Sequence, residues 1–273
     1  MKLSGRTAVV TGGGRGVGLA TAMKLASDGA AVVVNDLDQE EALSAVDVIR
    51  AGGGEAIACA GDITTVDFPE TLINAALDAY GGIDIIVNNA GYIWNGAMHN
   101  HSDEQWQAML DVHVSAPFRI LRAFSTWLRE TARREIAEQG TARCRKVVNI
   151  SSVSGTTGAA TQIAYSSGKA AVVGMTKTLA KEWGRYNVTV NCVAFGHIQT
   201  RLTQPYEREP PTIEVGGRSH RVGLTDAQIQ ATRAVAALGR SGEPEDAAGA
   251  IYLFCIPESD FITGEMLTCS GGG

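Results

Sequence analysis

The sequence predicts an α/β fold in which a seven-stranded parallel sheet carries helices on both faces. Seven short apolar runs, rich in β-branched residues, have the length of buried strands; they are residues 7–11, 31–35, 56–60, 83–88, 146–150, 188–193 and 266–269. Segments with helical periodicity lie between them; they are residues 17–29, 39–52, 69–80, 103–129, 164–186 and 244–254. Regular alternation predicts parallel strands, because each right-handed crossover returns the chain to the same sheet.

Composition and charge exclude several classes of protein. The chain of 273 residues is expected to form one domain, residues 1–273, since α/β folds of this size often have one core. Its net charge of -6 and its dispersed basic residues argue against nucleic acid and anionic membrane as partners. No apolar run reaches the ~20 residues of a membrane-spanning helix, and the first residues lack a signal-peptide pattern. We therefore expect a cytoplasmic protein with a small soluble substrate.

The cysteine and histidine patterns indicate neither disulfides nor a metal site. The five cysteines have no C-x-x-C spacing and fall mostly in apolar contexts, which is typical of reduced, buried thiols. His99 and His101 form a loop pair, but no carboxylate cluster completes a set of metal ligands. We expect no metal.

A glycine-rich loop follows the first predicted strand and opens a helix. It does not match the strict G-x-G-x-x-G fingerprint, but its position suits a pyrophosphate bound by backbone N–H groups at a helix N-terminus. Asp36 ends the second strand about 20 residues further on, where an acid bonds the ribose hydroxyls of NAD and repels the extra phosphate of NADP. Arg15 acts in the opposite sense, since a guanidinium pairs with that phosphate. We expect a Rossmann-like domain that binds NAD, with NADP as the alternative. The loop residues assigned to the dinucleotide are Gly12, Arg15, Gly16, Val17 and Gly18.

Tyr165 and Lys169 lie four positions apart in a helical segment, and Ser152 follows the fifth predicted strand. At this spacing both side chains project from one helix face, so that the ammonium can lie near the phenol and favour its ionised form. Hydride transfer to a carbonyl carbon leaves charge on the oxygen, which requires a proton donor and a second hydrogen bond. We expect Tyr165 to carry the proton, Ser152 to orient the oxygen, and Lys169 to lower the phenol pKa together with an oxidised nicotinamide. Alone, the Tyr–Lys pair is a common helix pair, and the glycine loop makes the catalytic interpretation the better one.

Two stretches depart from the alternation. Residues 128–145 are rich in both charges and are expected to form a solvated helix extension that ends at Gly140, with a docking surface for a partner as the alternative. Residues 201–239 contain three prolines and are too long for a plain connector. We expect this second stretch to form a lid over the substrate.

Together these motifs resemble the short-chain dehydrogenase/reductase family, and the resemblance runs nearly end to end. Within the family the chain is most similar to 3-oxoacyl-(acyl-carrier-protein) reductases and to the hydroxyacyl-CoA dehydrogenases of peroxisomal multifunctional enzymes. The resemblance implies a nicotinamide-dependent alcohol/ketone oxidoreductase, usually a homotetramer. It also implies that Asp62 and Ile63 lie near the adenine and that Asn89, Ala90 and Gly91 lie beside its ribose. Ile198 and Thr200 would contact the carboxamide end of the nicotinamide. Lys169 would also bind a ribose.

Three departures from the family pattern bear on the site. The family usually has an asparagine seven residues after a tryptophan, and counting from Trp106 this chain has His113. That asparagine holds a water that links the lysine to solvent, so His113 is a fourth candidate catalytic residue, with a buried histidine bonded to its own helix as the alternative. Phe195 replaces the usual proline before Gly196. The charged insertion before Lys146 neither supports nor excludes an acyl-carrier partner.

The leading functional hypothesis is the interconversion of a secondary alcohol and a ketone, with a 3-hydroxyacyl/3-oxoacyl thioester of CoA or acyl carrier protein as substrate. Segments 112–114 and 34–37 are similar to those of the peroxisomal hydroxyacyl-CoA enzymes and favour an acyl thioester and NAD. A steroid, polyol or other cyclic-alcohol dehydrogenase is an alternative, since the same catalytic residues serve any carbonyl that the lid admits. A non-catalytic dinucleotide-binding redox sensor is an alternative of another class, although a sensor needs no proton carrier.

If His113 takes part in the proton relay, His113→Ala should slow turnover and His113→Asn should largely restore it. A histidine with an ordinary pKa of about 6.5 would also add an ionisation to the pH–rate profile. Steady-state rates of the three forms, measured across the pH range around neutrality, test this. Equal rates in all three would refute the relay.

Overall fold

The computed structural model describes residues 1–215 and 217–273 and confirms the predicted α/β fold, a single Rossmann-like domain. Its central sheet has seven strands, all pairing in parallel. Numbered along the chain, they are β1 (Thr7–Val10), β2 (Ala31–Val34), β3 (Glu55–Ala58), β4 (Ile85–Asn88), β5 (Arg145–Ser152), β6 (Val188–Phe195) and β11 (Met266–Cys269). Four short strands lie outside this sheet: β7 (Pro205–Tyr206), β8 (Thr212–Val215), β9 (Arg218–Arg221) and β10 (Leu224–Thr225).

Helices cover both faces of the sheet. They are α1 (Gly16–Ser27), α2 (Gln39–Ala51), α3 (Phe68–Tyr80), α4 (Asp103–Leu110), α5 (Ala116–Gln139), α6 (Ser154–Thr157), α7 (Ile163–Trp183), α8 (Asp226–Val235) and α9 (Pro244–Leu253). Alternate strand residues enter different cores: Ala8 and Val10 pack with α1, α2 and α9, whereas Val9 packs with α3, α5 and α7. Within the described residues, no helix combines the length and apolar character needed to span a membrane.

In the sheet, the strands lie in the order β3-β2-β1-β4-β5-β6-β11. Successive strands are added toward one edge from β1 to β3 and toward the other edge from β4 to β11, while all of them stay parallel. The crossover from β1 leads to β2 on one side, and β4 and its successors lie on the other. Crossovers that diverge in this way leave a crevice beyond the carboxyl ends of the two strands. The glycine loop follows β1, and Asn89 and Ala90 follow β4, so both reach this crevice.

The predicted helix at 103–129 is interrupted and is longer than predicted. α4 ends at Leu110, a π-helical turn occupies Asp111–Ser115, and α5 continues to Gln139. Gly140 then ends the helix with φ of 81°, as its sequence position predicts. The π-helical turn carries His113, and such turns are frequent at functional sites.

The prediction of a solvated extension at 128–145 is only half right. Leu128 and Ala132 are fully buried and belong to the core on the α5 face of the sheet. Arg145 is buried as well, and its guanidinium lies 2.6 Å from the Glu135 carboxylate. The many charged residues of this stretch gave no indication of its buried face, because the few apolar residues that form this face are interspersed among them in the sequence.

The predicted lid segment, 201–239, contains structure of its own. A 3-10 turn at Arg201–Thr203 leads to β7, which pairs with β10, and β8 and β9 form an antiparallel hairpin. α8 follows and closes the segment. The hairpin reaches back to the loop after β4, where the His220 ring lies 4.8 Å from the Tyr92 ring between centroids.

Candidate active site

Asn89 joins the loops that follow β1 and β4. Its side-chain Nδ2 donates to the carbonyl oxygens of Thr11 at 2.9 Å and Gly12 at 3.1 Å. The backbone N–H groups of Asn89 and Ala90 both donate to the Thr11 hydroxyl, at 3.0 and 3.1 Å. The glycine loop is therefore fixed to the end of β4, and the predicted cofactor residues on the two loops lie together.

The glycine loop has the backbone geometry of a phosphate cradle. Gly12 and Gly16 have φ of 60° and 56°, a region that favours glycine. A Cβ on Gly12 would lie 2.8 Å from the Ala90 Cα, and a Cβ on Gly18 would collide with the Gly12 carbonyl oxygen. α1 begins within this loop, so its free N–H groups and helix dipole face an approaching anion. These residues fit a dinucleotide pyrophosphate.

Asp36 lies beside the glycine loop at the end of β2. Its carboxylate accepts the Gly14 N–H at 3.0 Å and the Asp38 N–H at 3.2 Å. Arg15 does not point freely into the site, because its guanidinium pairs with Asp38 at 3.2 Å and Glu41 at 3.0 Å. Three carboxylates, those of Asp36, Asp38 and Glu41, thus lie together at the position predicted for a ribose. Two of them hold the Arg15 guanidinium, which the sequence suggested as a partner for a phosphate.

Asp62 and Ile63, the residues predicted to contact the adenine, lie in the turn that follows β3. The Asp62 carboxylate accepts the Thr64 N–H at 2.8 Å and the Thr64 hydroxyl at 2.6 Å. Ile63 is buried in the core on the α3 face of the sheet. The Asn35 side chain holds this turn by donating to the Gly61 carbonyl at 3.1 Å. The adenine contacts of both residues stay predictions.

The loop after β6 reaches the glycine loop from the opposite side. A Cβ on Gly16 would lie 3.8 Å from the Thr200 Cγ2. The Thr200 hydroxyl accepts the Leu202 N–H at 3.3 Å and begins the 3-10 turn. Ile198 is 7% exposed and bridges to Gly242. Both residues therefore lie in the loop that connects β6 to the neighbourhood of the glycine loop. Their contacts with the nicotinamide carboxamide stay predictions.

β5 and α7 bring the three predicted catalytic residues together. Lys169 Nζ donates to the Ile150 carbonyl at 2.8 Å and lies 5.7 Å from the centroid of the Tyr165 ring. The Ser152 hydroxyl accepts the Ser154 N–H at 3.1 Å. Ser152 ends β5 and Tyr165 stands in the first turns of α7, so the fold places both beside the crevice.

Burial controls the protonation of this pair. Burial raises the pKa of Tyr165 to about 12, and the neighbouring Ser152 hydroxyl opposes that rise. Burial also lowers the pKa of Lys169 to about 8. In the protein alone Lys169 does not bring the pKa of Tyr165 below its usual value. The prediction that Lys169 lowers this pKa together with an oxidised nicotinamide stays a prediction. Near pH 7 Tyr165 is a neutral phenol that can give a proton.

His113 lies against Tyr165, the predicted proton carrier. Its Nε2 donates to the Tyr92 carbonyl at 2.8 Å, and its ring meets the Tyr165 ring edge-on with 5.1 Å between centroids. The alternative of a histidine bonded to its own helix is thus wrong. Burial, and then the charge of Lys169, lower the pKa of His113 well below its usual value. A neutral ring adds no ionisation near pH 6.5, which corrects the predicted pH profile; the role in the relay stays a prediction.

Free thiols complete the inventory of reactive groups. All five cysteines are free, and burial raises the pKa of Cys255 to about 12 and that of Cys192 to about 11. Across residues 1–215 and 217–273, no three His, Cys, Asp or Glu side chains are grouped as metal ligands.

Comparison with known proteins identifies the family. A family model described as short chain dehydrogenase matches residues 6–211. The chain belongs to the short-chain dehydrogenase family. It is an oxidoreductase that acts on CH–OH groups, resembles the 3-oxoacyl reductases and uses a nicotinamide dinucleotide.

Three relatives illustrate the range of the family. A 3-oxoacyl-(acyl-carrier-protein) reductase of Synechocystis sp. is 36% identical, over 99% of this chain and 97% of its own. The (2S)-((R)-hydroxy(phenyl)methyl)succinyl-CoA dehydrogenase subunit BbsD of Thauera aromatica is 35% identical, over 100% of this chain and 98% of its own. The solved structure of a 7α-hydroxysteroid dehydrogenase complexed with NADH and 7-oxo glycochenodeoxycholic acid has 27% identity and a TM-score of 0.84, covering 100% of this chain and 95% of that one.

Two contributions to the site were missed by sequence reasoning. The Thr11 hydroxyl accepts two N–H groups, and the sequence could have indicated it, because Thr11 is a polar residue between a buried strand and Gly12. The Tyr92 carbonyl, which holds His113, had none, because a backbone acceptor is independent of residue type.

Lys169→Met should stabilise the dinucleotide-free protein at pH 7 while it abolishes turnover. A pKa lowered from 10.5 to about 8 opposes the charged form in the fold, by about 3 kcal/mol. Loss of the bond to the Ile150 carbonyl offsets about 2 kcal/mol, so the free energy of unfolding should rise by about 1 kcal/mol. Urea denaturation of the two forms measures the difference.

The pH dependence of this effect has a defined sign. The folded-state pKa of Lys169 is depressed, so the cost of burying the ammonium is fully present below about pH 8 and disappears as pH rises from there to 10.5. The advantage of Lys169→Met should therefore shrink over that range. Lys177→Met, an exposed position on the same helix, is the control and should change stability little. A variant that is less stable at pH 7 would contradict the prediction.

Proposed function

We propose that the protein is an NAD-dependent reductase of 3-oxoacyl thioesters that also oxidises the corresponding 3-hydroxyacyl thioesters. The observation that carries this proposal is the convergence of Ser152, Tyr165 and Lys169 beside a glycine loop that Asp36 binds directly. Each of these groups has a task in carbonyl reduction, and the family membership of the chain supplies the reaction class.

The side chains would act on the C3 carbonyl oxygen. The glycine loop would hold the pyrophosphate of a reduced nicotinamide dinucleotide, which when bound would supply the hydride for C3. Tyr165, protonated near pH 7, gives its phenolic proton to the oxygen as negative charge develops there. The Ser152 hydroxyl donates a second hydrogen bond to that oxygen. Lys169 lies near enough to the phenol to stabilise the phenolate that remains, until a proton from solvent restores it.

The charges around Asp36 support NAD over NADP. A 2′-phosphate would meet the carboxylates of Asp36, Asp38 and Glu41, and two of these hold the Arg15 guanidinium. Arg201 is close enough to these carboxylates for their charges to raise its pKa, although burial lowers that pKa overall. Like charges at close range disfavour binding.

The names of the relatives support a thioester. The Synechocystis and Thauera enzymes are named for substrates carried on acyl carrier protein and on CoA, and each aligns over nearly the whole chain. Either carrier presents the same 3-oxoacyl group to Tyr165. A steroid substrate is the second candidate, favoured by the 7α-hydroxysteroid dehydrogenase whose fold this chain shares.

Three further proposals complete this function. The β8–β9 hairpin, which packs on the Tyr92 ring, supports a lid role for residues 201–239. The homotetramer and the cytoplasmic location are proposed on the family resemblance alone.

Reduction of acetoacetyl-CoA by NADH tests the activity. Tyr165→Phe should lower kcat by about 10³-fold, in the range for loss of a general acid, while NADH binding persists. Tyr80→Phe is the matched control, because the Tyr80 hydroxyl is buried and has no hydrogen-bond partner among the described residues. NADH consumption at 340 nm is the measurement. Dinucleotide binding without turnover of any ketone would favour the redox sensor instead.

Asp36→Asn should shift the cofactor preference toward NADPH. The amide keeps one acceptor for the Gly14 N–H and removes the charge that repels the 2′-phosphate. The ratio of kcat/KM for NADH to that for NADPH should fall about tenfold or more, which corresponds to about 1.4 kcal/mol. Asp47→Asn, an exposed carboxylate on α2, should leave the ratio unchanged. A wild-type preference for NADPH would overturn the assignment of NAD.

A further inference from the structure

Two aromatic residues stand beside the catalytic tyrosine in the loop after β4. Tyr92 and Trp94 are half-buried and pack against the apolar cluster of Met109, Val112 and Ala164. Tyr165 packs against the same cluster. The Tyr92 backbone is tied to this position by its bond from His113, whose ring touches the Tyr165 ring. The two aromatic rings therefore share an apolar wall with the proton donor.

An imidazole from the hairpin fills the space between these rings. The His220 ring centroid lies 4.8 Å from that of Tyr92, at an interplanar angle of 51°, and 4.6 Å from that of Trp94, at 82°. The residue is 2% exposed. Neither ring nitrogen has a hydrogen-bond partner within residues 1–215 and 217–273. Ring contacts and burial hold the imidazole there, beside the Val215 backbone.

A slot of this kind favours a flat apolar ring over the histidine. Tilted and edge-on contacts at these distances are the arrangements that aromatic pairs prefer. Burying the two polar nitrogens of the imidazole opposes the placement of His220, whereas a phenyl group in the same place buries no polar atom. An alkyl chain would fill the volume without the ring–ring contacts.

Backbone hydrogen bonds hold the end of the hairpin that carries His220, from the Val222 N–H to the Pro211 carbonyl at 2.9 Å and from the Gly223 N–H to the Leu202 carbonyl at 3.0 Å, whereas its side chains make few strong contacts with the rest of the protein. Its ion pair to α4, from Arg218 to Glu104 at 2.8 Å, joins two side chains that are 54% and 57% exposed. Exposed pairs contribute little to stability. Ile213, the register partner of His220 on β8, is the other buried side chain of the hairpin. Replacement of the His220 imidazole by a substrate ring therefore breaks few strong side-chain contacts.

We propose that the space between Tyr92 and Trp94 is a binding slot for a planar aromatic group next to the reacting carbonyl, and that His220 occupies it until such a substrate displaces the imidazole. The inference rests on the proposed function and narrows it: the preferred substrates are 3-oxoacyl thioesters with an aryl group at C3. Trp94 and His220 determine specificity and take no part in the chemistry.

Competition between two thioesters tests the slot. The ratio of kcat/KM for benzoylacetyl-CoA to that for acetoacetyl-CoA is measured in the wild type and in Trp94→Ala. In Trp94→Ala the kcat/KM for benzoylacetyl-CoA should fall about tenfold and that for acetoacetyl-CoA less than twofold, because only the aryl group contacts the indole. Trp106→Ala, on the exposed side of α4, is the matched control and should leave the ratio unchanged. An equal loss on both substrates, or none on either, overturns the proposal.

A binding measurement separates this proposal from the proposed function. The His220 imidazole proton signals, assigned with a His220→Gln variant, are followed by NMR while acetophenone or 2-butanone is added in the presence of NAD. Acetophenone should shift them as the ring leaves its aromatic neighbours, and 2-butanone should not. Displacement by acetophenone without turnover of either thioester would overturn the proposed function and keep the slot. Turnover of both thioesters with no shift would overturn the slot and keep the function.

Discussion

The site depends on the contact between the loops that follow β1 and β4. The two strands are neighbours in the sheet, but the chain leaves them in opposite directions, so only their carboxyl ends form a crevice. Asn89 closes the base of that crevice with bonds to Thr11 and Gly12. A side chain on Gly12 would meet Ala90 and force the loops apart. The position that we propose for the cofactor, relative to Ser152, Tyr165 and Lys169, follows from this one contact.

Burial shapes the chemistry beside that crevice. The same desolvation keeps the Tyr165 phenol protonated, makes the Lys169 ammonium costly and holds the His113 ring neutral. In the mechanism that we propose, a neutral phenol would give its proton to the oxyanion that hydride transfer creates, and the ammonium would stabilise the phenolate that remains. Stability and the proposed catalysis then oppose one another at Lys169, because burial disfavours the charge that the proposed reaction needs.

We assign substrate specificity to a different part of the structure, the loop after β4 together with strands β8 and β9. The same backbone carbonyl of Tyr92 that holds His113 also fixes the aromatic ring that meets His220. Substrate selection and the proton donor are therefore joined through one short loop. Family membership determines the class of reaction, whereas these aromatic contacts are the part of the site that we propose selects the substrate.

The sequence by itself determined the alternating α/β fold, the seven parallel strands, the rim where the loops meet and the Ser152, Tyr165 and Lys169 set, because strand length, helical period and residue spacing are local properties. It also predicted the end of α5 at Gly140. Only the tertiary structure decided that α4 and α5 are separated by a π-helical turn, that Arg15 pairs with neighbouring acids, that His113 binds the Tyr92 carbonyl and that His220 lies between Tyr92 and Trp94. Each of these depends on contacts between distant segments, on backbone acceptors or on burial, and none of these is written in the local pattern of side chains.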